Sequence, residues 1–155
     1  MRKTLIATGL VLGLIAVPAT SAFAATDHQF KGKAKATLTV TDETAGTFSI
    51  DGTAKIKHIG ETTVHGDGVR TDANSASYSL TITTASGDTI TTTNTANGLR
   101  VGRAGLFHGH STITGGTGAY AGATGSAASI GVVKKIKATP GTFKTMILFR
   151  GKINY

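Results

Sequence analysis

Residues 30–56 read FKGKAKATLTVTDETAGTFSIDGTAKI, and their alternation decides the fold. Between Phe30 and Thr41 the even positions are Gly32, Ala34, Ala36, Leu38 and Val40, whereas the odd positions are lysines and threonines. Successive side chains of a strand point to opposite faces, so a period of two predicts one inward and one outward face. Asp42-Glu43-Thr44-Ala45-Gly46 is made of turn formers and predicts a hairpin loop. In the returning segment Phe48, Ile50, Gly52, Ala54 and Ile56 take the inward phase. If Thr41 pairs with Thr47, both alternations agree: Val40 faces Phe48, Leu38 faces Ile50 and Ala34 faces Ala54. The same register sets Lys33 against Lys55 and Lys31 against Lys57 on the outer face. Like charges directly opposite are destabilising. A chain that keeps such pairs either spreads them into solvent or uses them, which makes Lys31, Lys33, Lys55 and Lys57 the candidate anion-binding surface.

The pattern continues along the chain. Ala76–Thr84 carries Tyr78, Leu80 and Ile82 on one face and returns through Asp88–Asn94. The loop Ala85-Ser86-Gly87 between them sets Ile82 opposite Ile90. Asn97-Gly98 predicts a further tight turn, and Phe107–Thr114 a strand with Phe107 and Ile113 in one phase. Ile130–Ala138 and Thr142–Ile153 form a last pair joined around Pro140-Gly141. In that last strand Phe143, Ile147 and Phe149 share one face, yet Met146 and Leu148 stand on the other, so the outer face also needs cover. No stretch keeps a helical apolar period. Eight or so antiparallel strands without helices imply a sandwich or a closed barrel. The small inward residues of the first hairpin suit the narrow part of a barrel.

The chain opens with Arg2 and Lys3, an apolar run over Leu5–Val17, and the small residues of Ala22-Phe23-Ala24. This is the layout of a secretory signal peptide over residues 1–24, which leaves one domain over residues 25–155 and predicts an exported protein, extracellular or periplasmic. The apolar run is short for a membrane span, and no later segment qualifies. The chain has no cysteine, which excludes disulfides, thiol catalysis and zinc–thiolate sites. All 8 acids lie at or before Asp88, and the 67 residues from Thr89 to Tyr155 carry basic residues only. Either the two halves neutralise each other across neighbouring strands, or a basic surface awaits an acidic partner such as an anionic envelope polymer, a lipid head group or nucleic acid. Nothing in the chain points to specific nucleic-acid recognition.

Residues 114–126, TGGTGAYAGATGS, offer the one candidate for a phosphate-cradling loop. Gly116-Thr117-Gly118-Ala119-Tyr120-Ala121 fits a relaxed G-x-G-x-x-A pattern. A dinucleotide site needs a helix directly after it and an acid some way on; Gly122, Gly125 and Gly131 disfavour the helix, and no acid follows. The structural reading is a tight turn followed by a strand with glycines at bulges or close backbone approaches. The stretch resembles the glycine-rich signature of the bacterial allene oxide cyclase-like, or dirigent-like, barrel proteins, close to GGTG-x-[FY]-x-GA-x-G. Gly115, Gly116, Gly118, Tyr120, Gly122 and Gly125 would be its structural members. The resemblance implies an all-β, roughly eight-stranded closed antiparallel barrel with a central cavity and no cofactor. It further implies a possible homotrimer, which would cover Met146 and Leu148. Plant members of that superfamily cyclise an unsaturated epoxide or steer radical coupling by cavity shape. None of their catalytic residues is matched here, and the cyclase's cysteine has no counterpart.

Few residues suggest chemistry. His108 and His110 share one face of a strand, a spacing that metal sites on sheets use, with His28, His58 or His65 as a third ligand. If Phe107 and Ile113 point inward, both imidazoles point outward, so no metal site is expected. His58 shares the phase of Ile50 and Ile56, and Lys134 that of Val132 and Ile136. The two are the candidates for binding a polar or acidic ligand at the cavity, the alternative being that both lie past the rim in water. Three readings follow: a barrel holding a small apolar or acidic ligand without turnover, a cofactor-free isomerase or dirigent-like protein, and an envelope-associated polyanion binder.

Overall fold

The computed structural model describes the backbone of residues 26–101 and 104–155, with the side chains of residues 99–101 excepted. The expected signal peptide over residues 1–24 lies outside the described residues. Eight antiparallel strands follow one another around a closed barrel: β1 (Asp27–Asp42), β2 (Thr47–Ile56), β3 (Gly60–Arg70), β4 (Ser75–Thr84), β5 (Thr89–Val101), β6 (Ala104–Gly116), β7 (Thr124–Lys135) and β8 (Thr142–Asn154). Each strand pairs with its sequence neighbours. The circle closes where β1 meets β8, from Asp27 opposite Asn154 to Thr39 opposite Thr142. Of the sandwich and the closed barrel that the alternation left open, the structure is the closed, eight-stranded all-β barrel that the resemblance implied.

The first hairpin has the register its sequence sets. Ala34 faces Ala54, Leu38 faces Ile50, Val40 faces Phe48, and Lys33 faces Lys55. Lys57 donates its backbone N–H to the carbonyl of Lys31 at 2.8 Å, so those lysines are neighbours too. The single departure is at the loop, where Asp42, and not Thr41, pairs with Thr47 through a bulge. There Asp42 Oδ1 accepts from the N–H of Thr44 and Ala45 at 2.8 and 2.9 Å, the side-chain mimicry of a turn that favours aspartate. In the second hairpin Ile82 stands opposite Ile90, and Gly87 takes φ +91° in its loop.

One expectation is corrected, and one strand had no expectation. Asn97 and Gly98 are not a turn but part of β5, where Asn97 pairs with Ser75 and with His108. Gly60–Arg70, which no sequence alternation singled out, is a full strand. Its inner face is Thr62, Val64, Gly66 and Gly68, too small to advertise an apolar period. Those small residues make room for large ones: a Cβ on Gly68 would run into the rings of Phe48 and Tyr78.

One end of the barrel is solid. Ile56, Ile90 and Ile153 are the most deeply buried large side chains there, packed with Phe30, Ile82 and Ile113. Burial of each isoleucine contributes about 2 kcal/mol. The glycine stretch forms the plug at this end. It leaves β6 at Gly116, makes one 3-10 turn over Gly118–Tyr120, and enters β7 at Thr124. Tyr120 is buried over Gly116, where an added Cβ would sit 2.9 Å from its own Cβ, and its ring meets Tyr155 edge-on.

Candidate functional site

Beyond the plug the barrel is hollow. The strands are far enough apart, and the inward residues small enough, to leave a cavity of about 180 Å³. That is roughly ten times what one buried water needs. All eight strands contribute to its wall. Ala34, Leu38, Phe48, Ile50, Ile147 and Phe149 form an apolar half.

The opposite half carries a polar stripe at one level of the barrel. Tyr78 pairs with Asn94, and Asn94 pairs with Ser111, on β4, β5 and β6 in turn. All three line the cavity. Asn94 is buried and donates from Nδ2 to the carbonyl of Tyr78 at 3.2 Å and to Thr92 Oγ1 at 3.0 Å. Its own carbonyl oxygen has no protein partner among the described residues. A buried amide held by its nitrogen keeps an acceptor to offer. Burial pushes the Tyr78 phenol above its ordinary value of 10.0, so the group stays a hydrogen-bond donor throughout the physiological range. Among the described residues, Tyr78 is the one ionisable side chain lining the cavity.

The sequence candidates fall elsewhere. His58 is not on the inner face: it lies in the β2–β3 turn, exposed, with φ +70°. Its strand ends at Ile56, so the phase of Ile50 and Ile56 does not reach it. Lys134 is on β7 but points outward and is exposed. The inward phase of that strand is Ala127, Ser129, Gly131 and Val133, not Val132. Gly131 explains the misreading. A Cβ there would collide with the ring of Phe107, so the inward residue had to be the one without a side chain. The alternative weighed for both residues, a position in water, is the one found.

His108 and His110 point outward, as the phase of Phe107 and Ile113 required. The histidines considered as third ligands are engaged differently: His28 stacks on Tyr155 at 4.6 Å, and His65 Nδ1 bonds Asp51 Oδ1 at 2.7 Å. Among the described residues no group of three or more potential ligands could hold a metal ion. The lysine candidates do converge. Lys31, Lys33, Lys55 and Lys57 line one shallow outer depression on β8, β1 and β2, together with Arg150, which the sequence did not single out. Arg150 stands opposite Lys31 across the β1–β8 closure, a pairing that only the closed barrel creates. None of the described helical residues forms a helix long and apolar enough to cross a membrane.

No family model matches the chain. No curated protein matches it either. Among solved structures it is similar to the pterocarpan synthase dirigent protein, at 11% identity and a TM-score of 0.49, over 88% of this chain and 89% of that one.

Proposed function

We propose that the protein binds a small, uncharged, mainly apolar molecule inside the barrel without transforming it. The observation that carries this reading is the two-sided cavity. An apolar half faces a stripe of Tyr78, Asn94 and Ser111, which provides a donor, a free carbonyl and a hydroxyl at one level. Apolar walls supply affinity and a few placed polar groups fix orientation. Among the described residues no lysine, arginine, histidine or carboxylate lines the wall, so a charged ligand would be desolvated without a counter-ion. An acidic ligand therefore belongs outside the barrel, on the lysine face.

The test is native mass spectrometry of protein purified gently from its own host, followed by titration with an uncharged apolar fluorophore, N-phenyl-1-naphthylamine. Retained ligand, or fluorophore uptake that Ala96→Phe abolishes with the fold intact, supports the reading. No retained ligand together with no uptake, or uptake indifferent to Ala96→Phe, overturns it.

A second reading, a cofactor-free isomerase or dirigent-like protein, has one observation in its favour. A protonated phenol held in an apolar cavity would stabilise an oxyanion developing on a bound substrate. Turnover that survives chelators and falls by about a hundredfold in Tyr78→Phe would establish it. A homotrimer that covers Met146 and Leu148 is the rival to a membrane reading of that face, and sedimentation equilibrium distinguishes the two.

A further inference from the structure

The outer surface of the barrel is divided. On β4 and β5 it presents serines and threonines, among them Ser79, Thr81, Thr93 and Thr95, and no lysine. On β6, β7 and β8 it presents large apolar side chains: Ile130 is 63% exposed, Met146 58%, Leu148 57% and Leu106 51%. These are contiguous. Leu106 pairs with Val132 and Val132 with Met146; Ile130 pairs with Leu148. An apolar patch of this kind, spanning three strands, marks a surface meant to be covered.

What covers it is indicated by its border. Leu148 stands opposite Lys33 and Met146 opposite Lys35 across the β1–β8 closure. Leu148 itself lines the depression that holds Lys31, Lys33, Lys55, Lys57 and Arg150. At the other end of the patch Lys134 pairs with Lys144. Among the described residues none of these cations forms an ion pair; the two ion pairs found are His65–Asp51 and Lys152–Asp27. Keeping so many like charges around exposed apolar groups is unfavourable for the free protein.

A second copy of the chain fits poorly. Docked through the same patch it would bring cations to cations. Docked through another face it would need a second apolar surface, and among the described residues of the β3–β5 side the one exposed large apolar side chain is Val69, at 39%. We propose instead that this face docks on an anionic phospholipid bilayer. The apolar residues would enter the boundary between headgroups and acyl chains, and the cations would meet the phosphates around them. Both terms favour the same surface, since apolar burial and attraction to anionic lipid add at a membrane interface. The proposal is independent of what the cavity holds.

The test is cosedimentation of the protein with vesicles of phosphatidylglycerol and phosphatidylcholine, against vesicles of phosphatidylcholine alone. Binding to the anionic vesicles is expected, weakened about tenfold or more by omitting the anionic lipid, by Lys33→Ser with Lys55→Ser, or by Ile130→Ser with Leu148→Ser. All substituted residues face outward, so circular dichroism should report an unchanged fold. No binding to anionic vesicles overturns the proposal. So does binding lost with the lysines but indifferent to Ile130→Ser and Leu148→Ser, the mark of a polyanion site. A protein that sediments as an oligomer and becomes monomeric in Leu148→Ser also overturns it, because the patch is then an interface between copies.

Discussion

Tyr120 and Tyr155 meet edge to face across the solid end of the barrel, their ring centroids 4.7 Å apart at an interplanar angle of 62°. One comes from the glycine turn and the other from the residue after β8, so the contact pins the plug to the barrel wall. Removing the Tyr120 ring should leave a void beside Ala123 and Ile153 and destabilise the fold by about 3 kcal/mol in Tyr120→Ala. Tyr120→Phe keeps the ring and should stay within about 1 kcal/mol. Urea unfolding midpoints of the two variants check the difference. Equal midpoints would mean that the ring contributes no packing.

The glycines around Tyr120 are separable by the same measurement. Gly118 and Gly122 both hold positive φ, +59° and +75°. A side chain at Gly122 meets nothing within 4 Å, so Gly122→Ala should cost only the backbone strain, about 1 kcal/mol. At Gly118 a Cβ would also collide with the Asp88 carboxylate, which accepts from Ser86 Oγ at 3.1 Å. Gly118→Ala should therefore be the worse of the two, at about 2 kcal/mol. Equal costs would show that the Asp88 side chain moves aside freely, and an inverted order would contradict the prediction.

His65 and Asp51 make the stability of the β2–β3 pair depend on pH. Hydrogen bonding and charge from Asp51, helped by Asp67, raise the imidazole above its ordinary value of 6.5. A group whose pKa is higher folded than unfolded stabilises fully below the unfolded value and loses that contribution as pH rises through the folded one. Unfolding midpoints should thus fall slightly on going from pH 5.5 to pH 8.5, a fall that Asp51→Asn removes. Both side chains are 66% exposed, so salt should shrink the effect. A midpoint that rises over that interval would contradict the assignment.

His58 is the one described non-glycine residue with positive φ. Its position is that of a turn, with Ile59 donating to the Ile56 carbonyl at 3.2 Å. Relieving the left-handed strain in His58→Gly should leave stability unchanged or raise it by up to about 1 kcal/mol. A loss of more than that, in the same urea assay, would reveal a contact made by the imidazole.

What the sequence made legible follows side-chain contrast. Where lysine and threonine alternated with alanine, leucine and isoleucine, as in β1 and β2, phase and register were readable up to the bulge that pairs Asp42 with Thr47. Where the inward residue was glycine the signal vanished. Gly66 and Gly68 hid β3, and Gly131 transferred the inward phase of β7 to Val132 and so misplaced Lys134. The polar stripe of the cavity was hidden differently. Asn94 occupies the inward phase of Ile90 and Thr92, a visible anomaly, but only closure sets it between Tyr78 and Ser111. Arg150 joined the lysines for the same reason, since its neighbour Lys31 is far away in sequence.

That closure also governs how the molecule forms. Seven of the eight strand pairings join neighbours in the chain, whereas β1 and β8 bring together its two ends. The local hairpins can assemble early; the last seam must wait for the longest loop to close. Until it does, β1 and β8 are free edges rich in residues that favour cross-β stacking, and two half-formed molecules can satisfy each other as readily as themselves. Refolding is then a race between ring closure and intermolecular pairing, which dilution favours in one direction only. The lysines at alternate positions of β1 repel a second β1 during that interval, so the face that crowds positive charge in the finished barrel also guards its open seam.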